Sequence, residues 1–214
     1  MFSVGQIKKS ARMSLKGNRK AAAFAVLMCA LLDVLLCIPV SEDAPLWIDA
    51  IAALATMVSG GSCLLAWSGL LLRTTSGRQC TFWDFIQGFE HFLTGAAAFA
   101  WCALWIFLWS LLFLIPGIVK AFSYSMTFFV LSENPSLGAR RALALSKVLT
   151  CGHKGDLFVL LMSFLLWEIL AVFTFEILQL WLAPYLAASL AQSYWRLKEE
   201  SLRTGALTVA DFQP

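Results

Sequence analysis

Apolar runs separated by short polar segments dominate this chain. The six runs cover residues 21–40, 46–72, 92–115, 117–131, 157–173 and 178–195. A helix needs about 20 apolar residues to cross the hydrocarbon core of a bilayer. The region from 92 to 131 is twice that length, so it must fold back on itself, and we expect the turn at Pro116-Gly117. The pattern predicts six membrane-spanning helices arranged as three hairpins.

The polar segment before each hairpin has the spacing of a short amphipathic helix. These helices are predicted at 3–17, 81–91 and 135–150. Ile7 and Ala11 share an apolar face in the first, and Thr81 and Asp84 have capping-box spacing in the second. Asn134 is a natural N-cap for the third. We therefore expect an all-α fold of three repeats, each a surface helix followed by a hairpin, with a tail at 196–214.

Composition supports one integral membrane domain over residues 1–214. Apolar residues make up 60% of the chain and charged residues 14%, and the mean hydropathy is +0.77. These values exclude an ordinary soluble domain. The net charge of +3 gives no reason to expect a nucleic-acid partner. None of the six cysteines forms a C-x-x-C pair, so we expect no metal site and no cofactor.

The positive charges predict the orientation of the hairpins. Fifteen of the sixteen Lys and Arg residues lie in segments that the six spans place on one side, and Lys120 alone lies on the other. Basic residues concentrate in cytoplasmic loops. We therefore expect a multi-pass cell-membrane protein with both termini cytoplasmic.

The central part of the chain carries a family resemblance. Residues 116–126 read PGIVKAFSYSM and residues 131–135 read LSENP; Ala142-Leu143, Ser146, Leu149, Gly152 and residues 181–185, WLAPY, extend the pattern. This pattern resembles a bacterial membrane family catalogued as domain of unknown function 975. It is also similar to the membrane domain attached to some glycerophosphodiester phosphodiesterases. The resemblance implies a six-helix membrane protein with no known activity.

Ionisable residues in or near the spans are the first candidate site. They are Asp33, Asp49, Lys120, Glu168 and Glu176. Such groups are costly inside a bilayer and often mark function. For Asp33 and Glu168, function and structural pairing stay equally open. Asp49, Lys120 and Glu176 fit better as residues at the membrane interface. Small residues at Ala52, Thr56 and Gly60 favour close helix packing.

The basic N-terminal segment is the second candidate site. Its residues are Lys8, Lys9, Arg12, Lys16, Arg19 and Lys20. They suit contact with anionic lipids, although orientation alone also accounts for them. No catalytic motif occurs, so we expect a non-enzymatic protein, transporter-like or lipid-interacting. The alternatives are a scaffold or regulatory subunit with a membrane-protein partner and, ranked last, an integral membrane enzyme.

Overall fold

The structure is a computed structural model that describes residues 4–36, 46–112, 114–174 and 178–213. This part of the chain is almost entirely helical and contains no β-strand. The α-helices are α1 (Val4–Leu15), α2 (Arg19–Leu36), α3 (Leu46–Thr75), α4 (Phe82–Gln87), α5 (Phe92–Leu112), α6 (Leu114–Tyr124), α7 (Thr127–Glu133), α8 (Ala139–Leu149), α9 (Lys154–Phe173) and α10 (Gln179–Arg203). Three 3₁₀ helices cover Gly88–His91, Pro135–Leu137 and Val209–Phe212. The all-α prediction is therefore confirmed for the described residues.

Three helical stretches are long and apolar enough to cross a membrane. They are Ile51–Thr75, Phe82–Leu111 and Lys154–Phe173. The described part of α2 is less apolar because it carries Arg19, Lys20 and Asp33 within eighteen residues. Of the other predicted spans, the fourth is broken into α6 and α7, and α10 has a strongly polar second half. Length and composition thus support three of the six predicted spans.

Helix α10 lies at the centre of the molecule. It contacts α1, α2, α3, α8 and α9. Its buried side chains are mostly small, and they include Ala187, Ala188, Ala191, Ser189 and Ser193. Small side chains let neighbouring backbones approach closely, as they do between helices in membranes. This explains how α10 is enclosed on several sides although its sequence is less apolar than that of α9.

The predicted turn at Pro116-Gly117 is wrong for the described chain. Helix α6 already begins at Leu114, so Pro116 lies in its first turn, where a missing backbone N–H costs no helical hydrogen bond. The stretch predicted as one span over 117–131 is not a continuous helix, because the chain turns at Ser125 and Met126 between α6 and α7.

Ser146 on α8 satisfies the backbone groups that this break leaves free. Its hydroxyl donates to the Ser123 carbonyl over 2.8 Å and accepts from the Met126 amide over 3.2 Å. Ser146 is fully buried. Unpaired backbone groups are expensive away from water, so this serine compensates for a broken helix. These hydrogen bonds give a structural reason for a serine at position 146, which is one of the residues that carry the family resemblance.

The second and third short helices differ in detail from their predictions. The Thr81–Asp84 capping box is confirmed at the start of α4. The helical path then continues through the 3₁₀ helix Gly88–His91 directly into α5. Asn134 occupies the N-cap position of the 3₁₀ turn Pro135–Leu137 but makes no side-chain capping bond there. Helix α8 begins after Gly138, whose φ of +73° favours glycine.

The C-terminal segment packs against the core. Helix α10 continues to Arg203, well past the predicted span end at residue 195. Leu207 and Phe212 are both buried in the main hydrophobic cluster. The Asn134 side-chain amide donates to the Phe212 carbonyl over 2.5 Å. The segment predicted as a tail is thus a folded part of the domain.

Candidate functional site

A cavity of the described chain lies between α1, the start of α2, α9 and α10. Its volume is about 700 Å³. Lys8, Arg12 and Arg19 supply positive charge to its lining, and none of its described lining residues is acidic. The other lining side chains are aromatic or aliphatic, and Tyr185 adds a hydroxyl group. The cavity therefore combines a cluster of cations with an apolar wall.

Helix α1 forms one side of this cavity because it packs lengthwise on α10. Its buried face consists of Ile7, Ala11 and Leu15. The Tyr185 hydroxyl donates to the Lys8 carbonyl over 3.4 Å, and the Gln192 side-chain amide donates to the Ser14 hydroxyl over 3.1 Å. The two contacts are six residues apart on α1 and seven apart on α10, so the helices run in the same direction. Lys8 is thereby placed beside the middle of α9.

Two of the cations already contact the cavity wall. The Lys8 ammonium donates to the Ser163 carbonyl over 3.3 Å and lies 4.1 Å from the centre of the Phe164 ring. Burial lowers the pKa of Lys8 below its usual value, because a charged ammonium loses solvation there. The Arg19 guanidinium lies 5.7 Å from the Trp181 ring. Ring faces attract cations through their negative quadrupole.

The apolar wall is built mainly from aromatic side chains of α9 and α10. Phe164 and Trp167 come from α9, and Trp181 and Tyr185 come from α10. Phe164 and Tyr185 pack edge to face with ring centres 5.2 Å apart. Such a wall suits a hydrocarbon group, and the adjacent cations suit an acidic group. The arrangement fits binding of an amphiphilic anion.

The structure brings together three of the six basic residues that were candidates for lipid contact. Lys8, Arg12 and Arg19 line the cavity. The other three, Lys9, Lys16 and Lys20, are exposed and do not line it. Residues 8 and 12 are four apart on α1 and share a face, whereas Lys16 follows the end of this helix at Leu15.

The predicted intramembrane cluster is not assembled by the described side chains. Lys120 on α6 lies 4.5 Å from the Trp109 ring, and Glu168 is a partly exposed residue of α9. Neither forms a salt bridge within the described part of the chain. Asp33 and Asp49 lie on α2 and α3, but their side chains, like all of Glu176, are outside the described residues. The cluster stays a prediction.

Sequence reasoning missed the aromatic residues of the cavity. Trp167 and Trp181 are two of nine tryptophans, and nothing in their local pattern distinguishes them. They become wall residues because α1 packs on α10, and the contacts between these helices join residues 177 and 178 positions apart in the chain. The one local signal was the spacing of Lys8 and Arg12, which predicts a shared face but not a partner.

The fold and the cavity define an all-helical protein with three helices compatible with a membrane. Residues 100–201 match the model of a family described as "Protein of unknown function (DUF975)". The match supports an uncharacterised family, and it includes α9 and α10 but not α1 and α2. Neither a curated protein nor a solved structure matches the chain.

Proposed function

We propose that this chain is a non-enzymatic integral membrane protein, transporter-like or lipid-interacting, that binds a lipid-like amphiphile between α1, α2, α9 and α10. The observation that carries the proposal is the cavity itself, with three cations beside an aromatic wall. Such a lining binds and orients a molecule. Its described residues include no nucleophile with an adjacent base, which a covalent mechanism would require.

The outer surface of the helices supports a membrane location. Only 22% of the most apolar stretch of α9 is buried, and Leu166, Val172 and Phe173 on this helix are each more than 70% exposed. Leu111 on α5 and Val34 on α2 are exposed to a similar degree. Soluble monomers rarely expose contiguous apolar surface of this extent. Lipid chains would cover these side chains without a hydrophobic cost.

The contacts among helices favour six spans in three repeated units. The three units are α1–α3, α4–α7 and α8–α10, and each begins with a short amphipathic helix. Each of these short helices packs on the last helix of the unit before it, with the third unit counted as the one before the first: α4 on α3, α8 on α7 and α1 on α10. The two arms of each unit also touch, through the pairs α2–α3, α5–α6 and α9–α10. Three similar units arranged in a ring, each in contact with the next, would produce this repeated pattern of contacts. The proposal places the three short elements on the cytoplasmic side.

Filling the cavity tests whether it holds an amphiphile. Ala23 on α2 lines the cavity, whereas Ala30 on the same helix is exposed and does not. We expect the full chain, purified in mild detergent, to retain lipid that native mass spectrometry detects. The Ala23→Trp variant should lose most of it, and Ala30→Trp should keep it. Equal lipid retention in both variants would contradict binding in this cavity.

A scaffold or regulatory role is the second candidate function. One observation favours it: a smaller cavity of about 320 Å³ on α5, lined by Trp105, Leu108, Trp109 and Leu111. Leu108 and Leu111 are exposed, so an apolar helix of a membrane partner can pack there. The test is photo-crosslinking in membranes from residue 108, with residue 162 on α9 as a control site. If the chain is a scaffold or regulatory subunit, residue 108 should capture a defined protein and residue 162 should not.

A further inference from the structure

The cavity occupies one of three related interfaces, and the comparison among them indicates what it holds. In each interface one buried residue of a short helix faces the preceding unit. These residues are Ile7 on α1, Phe85 on α4 and Leu143 on α8. Ile7 packs against α9 and α10, Phe85 against α2 and α3, and Leu143 against α5 and α6. The three interfaces thus have the same construction.

Aromatic side chains fill the second and third interfaces. At α4, Phe82 packs edge to face on Phe24 with ring centres 4.7 Å apart, and Phe85 packs on Phe89 at 5.4 Å. At α8, the partly buried Trp101 and Trp105 pack against the cluster around Leu143. The first interface instead leaves about 700 Å³ open. That volume lies in the range of about 300–1,000 Å³ that is usual for small-molecule sites.

Charge distinguishes the open interface from the second one. Lys8, Arg12 and Arg19 surround the cavity, and no salt bridge within the described chain involves any of them. By contrast, Arg73 near the second interface pairs with Asp84 over 2.5 Å. The two contacts made by Lys8, a carbonyl and a ring face, leave its charge without a counter-charge. An acidic group between the three cations would supply one.

We propose, on the basis of the function proposed above, that the cavity selects an acidic lipid. Lys8, Arg12 and Arg19 hold its anionic head group, and one hydrocarbon chain lies along Phe164, Trp167 and Trp181. Arginine is well suited to the head group, because its planar fork binds phosphate or carboxylate through two parallel hydrogen bonds. The aromatic rings offer the hydrocarbon chain a largely apolar surface. A zwitterionic lipid of the same chain length binds more weakly, because its own cation meets the three basic side chains.

Matched charge variants test the selection. The full chain in mild detergent is titrated with dioleoyl phosphatidylglycerol, dioleoyl phosphatidylcholine or oleate, and bound lipid is measured by native mass spectrometry. Arg12→Gln with Arg19→Gln removes two cavity charges at exposed positions, so folding is retained. Lys16→Gln with Lys20→Gln removes two charges, one in the turn after α1 and one on α2, that lie outside the cavity.

The expected result is selective binding that only the cavity charges control. The wild-type chain and the Lys16/Lys20 variant should prefer phosphatidylglycerol over phosphatidylcholine, and the Arg12/Arg19 variant should lose about 30-fold in affinity for phosphatidylglycerol. Tight oleate binding with the same dependence on Arg12 and Arg19 also supports the proposal and identifies a free acid as the source.

Two results would overturn the inference. One is equal affinity of the wild-type chain for the two phospholipids with weak binding of oleate. The other is an equal loss in both charge variants, which would indicate attraction by general surface charge. If either occurs while Ala23→Trp still abolishes lipid retention, the proposed function survives and the charge selection fails. Absence of any lipid binding by the wild-type chain would remove both.

Discussion

At the residue scale, a few polar side chains join distant segments near the C-terminal half of α10. The Tyr194 hydroxyl donates to Glu133 over 2.5 Å, and Lys198 forms a salt bridge with the same carboxylate. The Lys198 ammonium also lies 4.4 Å from the Phe212 ring. Glu133 thus connects α7, α10 and the C-terminal turn. No local pattern predicts the two contacts of Glu133, because its partners lie more than 60 residues away in the chain.

Removal of the Tyr194 hydroxyl tests this network. Tyr194→Phe should lower stability by about 1–3 kcal/mol, because a hydrogen bond to a charged group is lost in a buried place. Tyr194 is fully buried. Tyr124→Phe is the matched control, since Tyr124 is also buried but its hydroxyl makes no hydrogen bond within the described chain. The measurement is thermal unfolding in detergent, and equal shifts in the two variants would contradict the role of Glu133.

Asp211 makes the C-terminal turn sensitive to acid. The Thr208 amide and hydroxyl each donate to its carboxylate over 2.8 Å, and these bonds lower the pKa of Asp211. Because the pKa is lower in the folded turn than in an unfolded one, the stabilisation is complete above the unfolded value of about 3.9. It is lost as the pH falls through the folded value.

Amide hydrogen exchange measures this loss. Exchange at residues 207–213, corrected for its intrinsic pH dependence, should accelerate as the Asp211 carboxylate becomes protonated. The Asp211→Asn variant should exchange faster than wild type at neutral pH and should show no further acceleration below about pH 4. An unchanged acid response in this variant would assign the effect to another group.

At the element scale, the packing of α3 on α5 depends on two facing glycines. A Cβ atom on Gly61 would lie 2.6 Å from the Gly95 carbonyl oxygen, and one on Gly95 would lie 2.7 Å from the Gly61 oxygen. The sequence pattern pointed to Gly60 in the stripe with Ala52 and Thr56. The structure places nothing within 4 Å of a Cβ at Gly60. The contact is therefore one residue away from the predicted stripe.

Alanine substitutions at these neighbouring glycines should have opposite effects. Gly61→Ala forces α3 and α5 apart and should destabilise the protein by about 1–3 kcal/mol. Gly60→Ala adds a better helix former in open space and should be neutral or stabilising by up to about 1 kcal/mol. Unfolding midpoints of both variants in detergent provide the comparison. Destabilisation by Gly60→Ala and not by Gly61→Ala would reverse the assignment of the contact face.

The elements that the sequence predicts well are those governed by local chemistry. The first amphipathic helix was predicted at 3–17 and observed at Val4–Leu15, and the Thr81–Asp84 cap was observed as predicted. The misplaced features depend on tertiary contacts. The break at Ser125 and Met126 is possible because Ser146 lies beside it, and the cavity exists because α1 packs on α10. Neither partner is visible from local periodicity.

At the scale of the whole molecule, the number of membrane crossings determines on which side of the membrane each loop lies. Three stretches qualify by length and apolarity, whereas charge placement predicts six spans with both termini inside. The two arrangements differ in one observable. With six spans, residue 41 lies outside and residue 151 inside, because three crossings separate them. If only the three qualifying stretches cross, two crossings separate these residues and they lie on the same side.

Cysteine labelling on intact cells decides between the two arrangements. Cys151 is exposed in the turn between α8 and α9, and it is the single thiol kept in a variant whose other five cysteines are alanine. A membrane-impermeant maleimide should label Cys151 only after the membrane is opened. In the matched variant with Cys151→Ala and Ser41→Cys, labelling should occur on intact cells. Six spans require this opposite accessibility, since an odd number of crossings must separate the sites. The same accessibility at both positions would require an even number of crossings between them and would contradict the six-span arrangement.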